Sequence, residues 1–362
     1  MKVAVIGGGV VGLSATVALL RQGVDVRCYE AGEPMGERSA GDTRIFRLAH
    51  AYPDMVVLAG QSRALFAGWS ERAGAALVDE VGTVVSGAEV GRWADAMAAA
   101  GAAHEMVEAG SPLLRLPARA FAGPALIDPS GGVIRVDRIR AFLVDAVGDR
   151  LRQVHVDAVE ETGPGVRVRS GTDSDTFDAV VICAGAGTSA LAAGVGIDTP
   201  SALEHHLRFS FPIRPEAPAP LQCWITEPAP GLLGTYQHVA GPGRWAVGGD
   251  IDAVLVTWGS GRQAAEQASL AAVTGYVAEH LPFVEPRPIG QVYCTHNPDL
   301  GDGLQFVRRG RVLATYGENL MKFAPLLGEM LARACVDGST PANAGPGAER
   351  TSQNTAGNGS VE

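Results

Sequence analysis

The order of apolar and polar positions divides the chain into two kinds of segment. In the first kind, short and wholly apolar runs alternate with helical patterns. Val3 to Ile6 is such a run, rich in β-branched residues, and predicts a buried strand. Leu13 to Gln22 predicts a helix, and Val24 to Tyr29 a second strand. Arg138 to Val147 predicts a helix with Ile139, Phe142, Leu143 and Ala146 on one face, and Val154 to Val159 a strand. Val166 to Ser170 and Thr176 to Ala179 predict a hairpin, which leads into the apolar strand of 178–187, closed by a glycine-rich turn. Gly290 to Pro298, Leu304 to Phe306 and Arg311 to Tyr316 return to strands, and a last helix begins at Ala324. Buried runs joined through helices are the mark of a parallel sheet.

The second kind of segment alternates residue by residue. From His206 to Ile213 the apolar positions are Leu207, Phe209, Phe211 and Ile213, which predicts a half-buried antiparallel strand. Leu221 to Thr226, Leu232 to Val239 and Arg244 to Gly248 are further strands, and Gln263 to Leu281 is a helix. In the remaining stretch, Met55 to Ala73 and Glu89 to Ala103 have helical patterns and Leu77 to Val85 a strand pattern. Residues 337 to 362 hold almost nothing apolar and predict a disordered tail.

Glycine spacing adds chemistry to the first strand. Gly7, Gly9 and Gly12 follow it as G-x-G-x-x-G, with Val10 and Val11 between, and Glu30 ends the next strand. Gly7 permits the turn, Gly9 lets a pyrophosphate approach the backbone, and Gly12 lets helix and strand pack closely. The helix N-terminus offers free N–H groups to phosphate. A carboxylate at Glu30 suits a ribose hydroxyl and repels a 2′-phosphate. The motif does not choose between NAD and FAD. The loop of 31–42 is longer than a plain connection needs, which points to a ligand. Arg44 and Arg47 beyond it are neighbours if that segment is helical.

Composition narrows the partners. With 362 residues, 46% of them hydrophobic, the chain has material for two domains. A net charge of −10 disfavours nucleic acid and anionic membrane. No apolar run approaches the roughly 20 residues of a bilayer span. Met1-Lys2 runs straight into the first strand, so no targeting segment is read and a cytoplasmic protein is expected. The five cysteines form no C-x-x-C or Cys/His cluster, so no metal site is expected, and Cys28, Cys183 and Cys335 are expected as reduced core thiols.

These pieces together resemble the D-amino acid oxidase superfamily, within it the sarcosine oxidase and N-methyl-amino-acid oxidase branch. The resemblance rests on the N-terminal fingerprint, on Gly41-Asp-Thr-Arg-Ile-Phe-Arg47, on 131–159, on Ile182-Cys-Ala-Gly185 and on 317–323. It implies an α/β (α+β overall) fold: an FAD-binding, doubly wound, Rossmann-like domain built from separated segments, 1–75, 126–200 and 290–336, plus an inserted antiparallel-sheet substrate domain, 76–125 and 201–289. It assigns to the cofactor Gly7, Gly9, Val10, Val11, Gly12, Glu30, Ala31, Arg38, Ser39, Thr43, Arg44, Val159, Ala184, Gly185, Gly317, Asn319, Leu320, Met321 and Lys322. Backbone N–H groups around Gly317 to Met321 would stabilise negative charge on the flavin. Arg47 and Lys322 match a pair that holds a substrate carboxylate, and Thr43, Arg44 and Tyr236 complete the catalytic set, with His238 and Asp250 as candidates to line the pocket.

Two departures bear on the chemistry. The cysteine that tethers FAD in this branch aligns with Val292, and Cys294 lies two positions on, on the same strand face. Non-covalent FAD is therefore expected, with attachment through Cys294 as the alternative. The branch's oxygen-activating lysine should fall near Trp245 to Gly248, where there is none. The implied function is oxidation of a C–N bond in a carboxylate-bearing secondary amine or (imino) amino acid, with hydride passing to the flavin and O2 reduced to H2O2, in a specialised biosynthetic pathway. An FAD-dependent dehydrogenase or monooxygenase with another acceptor, and a non-catalytic flavin-binding subunit, are the alternatives. The expected partners are a small molecule and O2, with the oligomeric state open.

Overall fold

The computed structural model describes residues 1–119, 121 and 123–346. The described residues divide into two compact units, the first made of 1–39, 139–203 and 297–346, the second of 40–138 and 204–296.

The first unit is built on a six-stranded sheet in the order Leu304–Arg309, Val312–Gly317, Ala179–Ile182, Lys2–Ile6, Asp25–Glu30 and Leu151–Gln153. All neighbours are parallel except the first pair. Val3 to Val5 and Val180 to Ile182 are fully buried, as their unbroken apolar runs require. The helix Val10–Arg21 packs against the last helix, Ala324–Asp337. The approach is close: a Cβ on Gly328 would stand 2.7 Å from the Ser14 carbonyl oxygen. An antiparallel sheet of Ala158–Thr162, Gly165–Ser170 and Asp173–Phe177 completes the unit.

The second unit carries an eight-stranded sheet in the order Gly290–His296, Glu204–Pro212, Arg244–Gly249, Thr235–Gly241, Cys223–Thr226, Thr83–Ser86, Ala125–Asp128 and Glu105–Val107. One face buries Leu207, Phe209, Phe211, Trp245 and Val247 with Val273, Tyr276 and Val277 of the helix Arg262–His280. Three short strands, Thr43–Phe46, Gly132–Arg135 and Val78–Asp79, form a separate sheet.

Several expected boundaries move. Residues 40–75 and 126–138 belong to the second unit, because Thr43–Phe46 pairs with Gly132–Arg135. Gly290–His296 joins it by pairing with Glu204–Ser210. The proposed tail from 337 is partly structured: Asp337 ends the last helix, Ala344 bridges Leu304, and the Phe306 N–H donates to Asn343 Oδ1 at 2.7 Å. Residues 347–362 of that proposed tail lie outside the described residues. The Arg44 segment is a strand, not a helix, so side chains three apart leave on opposite faces and Arg44 and Arg47 are not neighbours in the helical sense.

Candidate functional site

In the first unit the glycine turn forms as its spacing requires. Gly7 adopts φ +111°, and a Cβ there would lie 2.4 Å from the Cys183 carbonyl oxygen. A Cβ on Gly12 would lie 1.8 Å from the Gly7 oxygen, so only glycine lets the helix start there. Around Gly9 the same test meets only Ser39 Oγ, at 3.4 Å, which leaves the open cradle that a pyrophosphate needs. Ser39 Oγ accepts the Val10 N–H at 3.1 Å and tethers the loop beside the helix N-terminus. The N-cap residue, Gly9, brings no side chain to that terminus and no acid sits in its first turn, so beyond the one N–H taken by Ser39 the dipole end stays positive.

Glu30 does more than end its strand. Its carboxylate accepts the Gly8 N–H at 2.7 Å and the Gly32 N–H at 2.8 Å, joining the glycine turn to the next loop. This adds a fourth glycine that motif reading missed, since a Cβ on Gly8 would lie 2.7 Å from Glu30 Cβ. Ala31 is exposed beside this clasp. Arg38 pairs with Glu318, whose carboxylate also accepts the Asn297 N–H at 2.8 Å. Arg38, Gly185, Asn297, Thr188 and Thr199 line a small cleft. The buried hydroxyls of Thr188 and Thr199 have no hydrogen-bond partner among the described residues. Ala184 and Gly185 follow the Ala179–Ile182 strand, and Val159 is buried in register with Val168. The open cradle at Gly9 and the unpartnered hydroxyls beside Gly185 fit a phosphate-bearing nucleotide.

The turn before the last helix is also set by backbone. Gly317 has φ +158° and Asn319 is left-handed at φ +55°. No side chain caps the helical turn Leu320–Phe323. The N–H groups of Leu320 and Met321 thus remain available to negative charge. Lys322 is 4% exposed, with Nζ 3.8 Å from Asp302 Oδ2, and Asn319 also donates to Asp302.

The second unit supplies side chains. Cross-strand register puts Glu204, His206, Arg208 and Ser210 opposite His296, Cys294, Val292 and Gly290 on one side. Arg208 and Ser210 face Gly248 and Ala246 on the other. Gly248 and Ala246 in turn face Tyr236 and His238. Directly opposed residues share a face, so the face away from the core is polar. The complementary positions of the alternation at 206–213, read only for its apolar members, carried this signal.

On that face the Tyr236 hydroxyl lies 3.2 Å from His206 Nε2, and His206 Nδ1 lies 3.3 Å from Cys294 Sγ. Tyr236 leans across Gly248, where a Cβ would stand 1.9 Å from its hydroxyl oxygen. Burial pushes the Tyr236 phenol far up, so it stays protonated. His238 Nε2 lies 3.1 Å from Thr43 Oγ1. Burial first, then the charges of Arg208 and Arg44, push His238 well below the ordinary histidine value, so its ring is neutral. Burial also raises Asp250, opposed by His206 and His296. Ala246, where a lysine was sought, is 1% exposed. Arg44 donates to the backbone carbonyls of Thr43, at 2.9 Å, and Ala40. Arg47 donates to the Ala49 carbonyl and lies 4.8 Å over the Trp93 ring.

Thr43, Arg44, Tyr236, His238 and Asp250 thus share one unit, while Lys322 and the glycine turn lie in the other. Arg208 and His206 stand on the same face as Tyr236 and His238, and motif reading did not find them. A strand, a glycine turn built for pyrophosphate and a carboxylate on the next strand agree with the decisive comparison, in which the FAD dependent oxidoreductase (DAO) family matches residues 2–334. The chain belongs to that family.

Its cofactor is therefore FAD and it is an oxidoreductase. Among solved structures it is similar to NikD, described as an unusual amino acid oxidase essential for nikkomycin biosynthesis: 22% identity, TM-score 0.80, over 93% of this chain and 94% of that one. It is similar to L-proline dehydrogenase from P. horikoshii at 16% identity and TM-score 0.76, over 93% and 94%. Glycine oxidase from Geobacillus kaustophilus gives 18% identity and TM-score 0.72, over 94% and 96%. These likenesses establish the fold. No curated protein matches the chain. Among the described residues no helix is long and apolar enough to cross a membrane, and no His/Cys/Asp/Glu group could hold a metal.

Proposed function

We propose that this DAO-family enzyme oxidises a C–N bond in a secondary amine or (imino) amino acid that carries a carboxylate. The observation that carries the reading is the polar sheet face of the second unit, where two arginines stand beside a histidine and a tyrosine that burial keeps neutral. Such a face attracts an anionic group. FAD, when bound, supplies hydride acceptance and the passage of electrons to oxygen. The chain's part is to hold the nucleotide on the Gly9 cradle, to offer the Leu320 and Met321 N–H groups to negative charge, and to orient the amine. Thr43 holds His238 by its ring nitrogen and Arg44 is pinned to two backbone carbonyls, so both are fixed before a substrate arrives. The FAD is held without a covalent bond; the Cys294 thiol is engaged with His206.

A second reading has one observation in its favour. A buried alanine at 246 puts no cation where the resemblance expects the oxygen-activating lysine, which favours a dehydrogenase that uses another acceptor. The likeness to NikD, essential for nikkomycin biosynthesis, supports a biosynthetic role.

An anaerobic absorption titration tests both. N-methyl amino acids, cyclic imino acids and free amino acids are added to the holoenzyme, then air. Bleaching of the flavin by a carboxylate-bearing amine, with rapid return in air and peroxide formed in step, is the expected result. Slow return favours the dehydrogenase. No bleaching by any compound overturns amine oxidation.

A further inference from the structure

One cation of the second unit has been given no partner so far. Arg208 lies in the strand Glu204–Pro212, is 8% exposed, and makes no hydrogen bond or ion pair with any described residue. Its cross-strand neighbours explain this. They are Gly248, which has no side chain, and Val292, which has only an apolar one. The Tyr236 phenol, the Cys294 thiol and the exposed Asp42 carboxylate act on it at longer range. A guanidinium this largely enclosed and without a partner at hydrogen-bond distance is costly, and a fold keeps one where an incoming anion completes it.

The surroundings are shaped for that. Gly41 has φ +94°, and the point where its Cβ would stand is 2.5 Å from Arg208 Nη2 and 3.1 Å from Arg44 Nη1. Two guanidinium groups therefore converge at a place that no side chain at position 41 could share. Arg44 is already pinned to the Thr43 and Ala40 carbonyls. Arg47 is engaged by the Ala49 carbonyl and the Trp93 ring. Of these three arginines, Arg208 alone has its whole planar fork unengaged.

We infer that Arg208, flanked by Arg44, is the anion receptor of the second unit and holds the carboxylate of the ligand through its two terminal nitrogens. It rests on the proposed function only for the identity of that ligand as an amine's carboxylate. Arg208 is then the specificity-determining residue and Arg47 a structural one.

The test uses the holoenzyme with acetate and acetamide, which match in size and differ in charge. Isothermal titration and thermal melting are run on the wild type, Arg208→Met and Arg208→Lys. Acetate is expected to bind the wild type and raise its melting temperature. Arg208→Met should weaken acetate at least tenfold, leave acetamide unchanged, and melt at or above the wild-type temperature, because it removes an unpaired buried charge. Arg208→Lys should keep part of the acetate affinity. Acetate binding that ignores Arg208→Met, or no acetate binding by the wild type, overturns the inference. So does an Arg208→Met protein that melts well below the wild type and loses both probes alike. If acetate binding depends on Arg208 while no amine bleaches the flavin, the receptor stands and amine oxidation falls.

Discussion

The two units make their sites from different materials. The first uses backbone: glycines that admit close approach, and N–H groups at the starts of two helical turns whose own N-cap residues make no side-chain cap. The second uses side chains brought to one sheet face by register. A backbone site is broken by adding an atom, and a side-chain site by removing one or by moving its strand. The units should therefore fail in opposite ways.

The largest effect is expected at Gly12. An alanine there must place its Cβ 1.8 Å from the Gly7 carbonyl oxygen, and neither backbone can yield without opening the turn. Gly12→Ala should be among the severe substitutions, above roughly 4 kcal/mol, with flavin lost from whatever folds. Bound flavin per polypeptide and the melting temperature read this. Gly60, in the helix Pro53–Ala73, is the contrast, since a Cβ there meets nothing within 4 Å. Gly60→Ala should stabilise by about 0.4–1 kcal/mol. Equal losses at both positions would mean that the close approach at Gly12 is not what the turn depends on.

Within the second unit, the two sides of one strand should differ almost as sharply. Phe209 is 1% exposed in the core beneath the sheet, and its neighbour Arg208 points to the polar face. Phe209→Ala should destabilise by about 3–5 kcal/mol. His206→Ala should lose no more than about 1–2 kcal/mol, for its contacts with Tyr236 and Cys294. Denaturant midpoints at constant slope would measure both. A similar loss at the two positions would show that the polar face is load-carrying packing and not a site.

The same contrast explains what could be read from the chain alone. Gly7, Gly9, Gly12 and Glu30 fall within a single strand–helix–strand, so their roles follow from spacing along the sequence. Arg208 gains meaning only from Gly248, Tyr236 and Gly41, brought beside it by strand pairing and by a turn 167 positions earlier in the case of Gly41. Long-range register is not written in local periodicity, and the alternation of Leu207, Phe209 and Phe211 identified the buried side while leaving the chemistry of the other side unread. The placement of Arg44 failed for a related reason. A four-residue strand such as Thr43–Phe46 is too short for its period to outweigh a helical reading, and pairing with Gly132–Arg135 decides it.

Acid should act next, and with opposite signs within the second unit. His238 is fully enclosed and held well below 6.5, whereas the unfolded chain binds a proton there near 6.5. The unfolded state thus takes up more protons as pH falls below 6.5, and the stability His238 contributes is lost in that direction. The limiting slope is about 1.4 kcal/mol per pH unit. Asp128 and Asp250, raised by burial above 3.8, act in the opposite sense, losing stability as pH rises past 3.8. The difference between wild type and His238→Gln isolates the histidine. Curves that stay parallel from pH 7 to 5 would show that His238 can be protonated in place.

The smallest effect leaves stability untouched and reads access instead. Burial raises Cys28 and Cys335 to about 12, and lifts Cys183 and Cys223 as well. All four are buried, and a thiolate is the reactive form, so these should ignore a disulfide reagent while the fold holds. Cys294 is the partly exposed thiol, on the polar face beside His206 Nδ1. Native protein should therefore release one equivalent from Ellman's reagent and five after unfolding, of the five cysteines in the chain. Cys294→Ser should abolish the native equivalent. If the polar face is a ligand site, acetate bound at Arg208, which shares that face, should slow the reaction of Cys294 in the wild type and not in Arg208→Met. A rate indifferent to acetate in both proteins would separate the thiol from the anion receptor and leave the face as two independent patches.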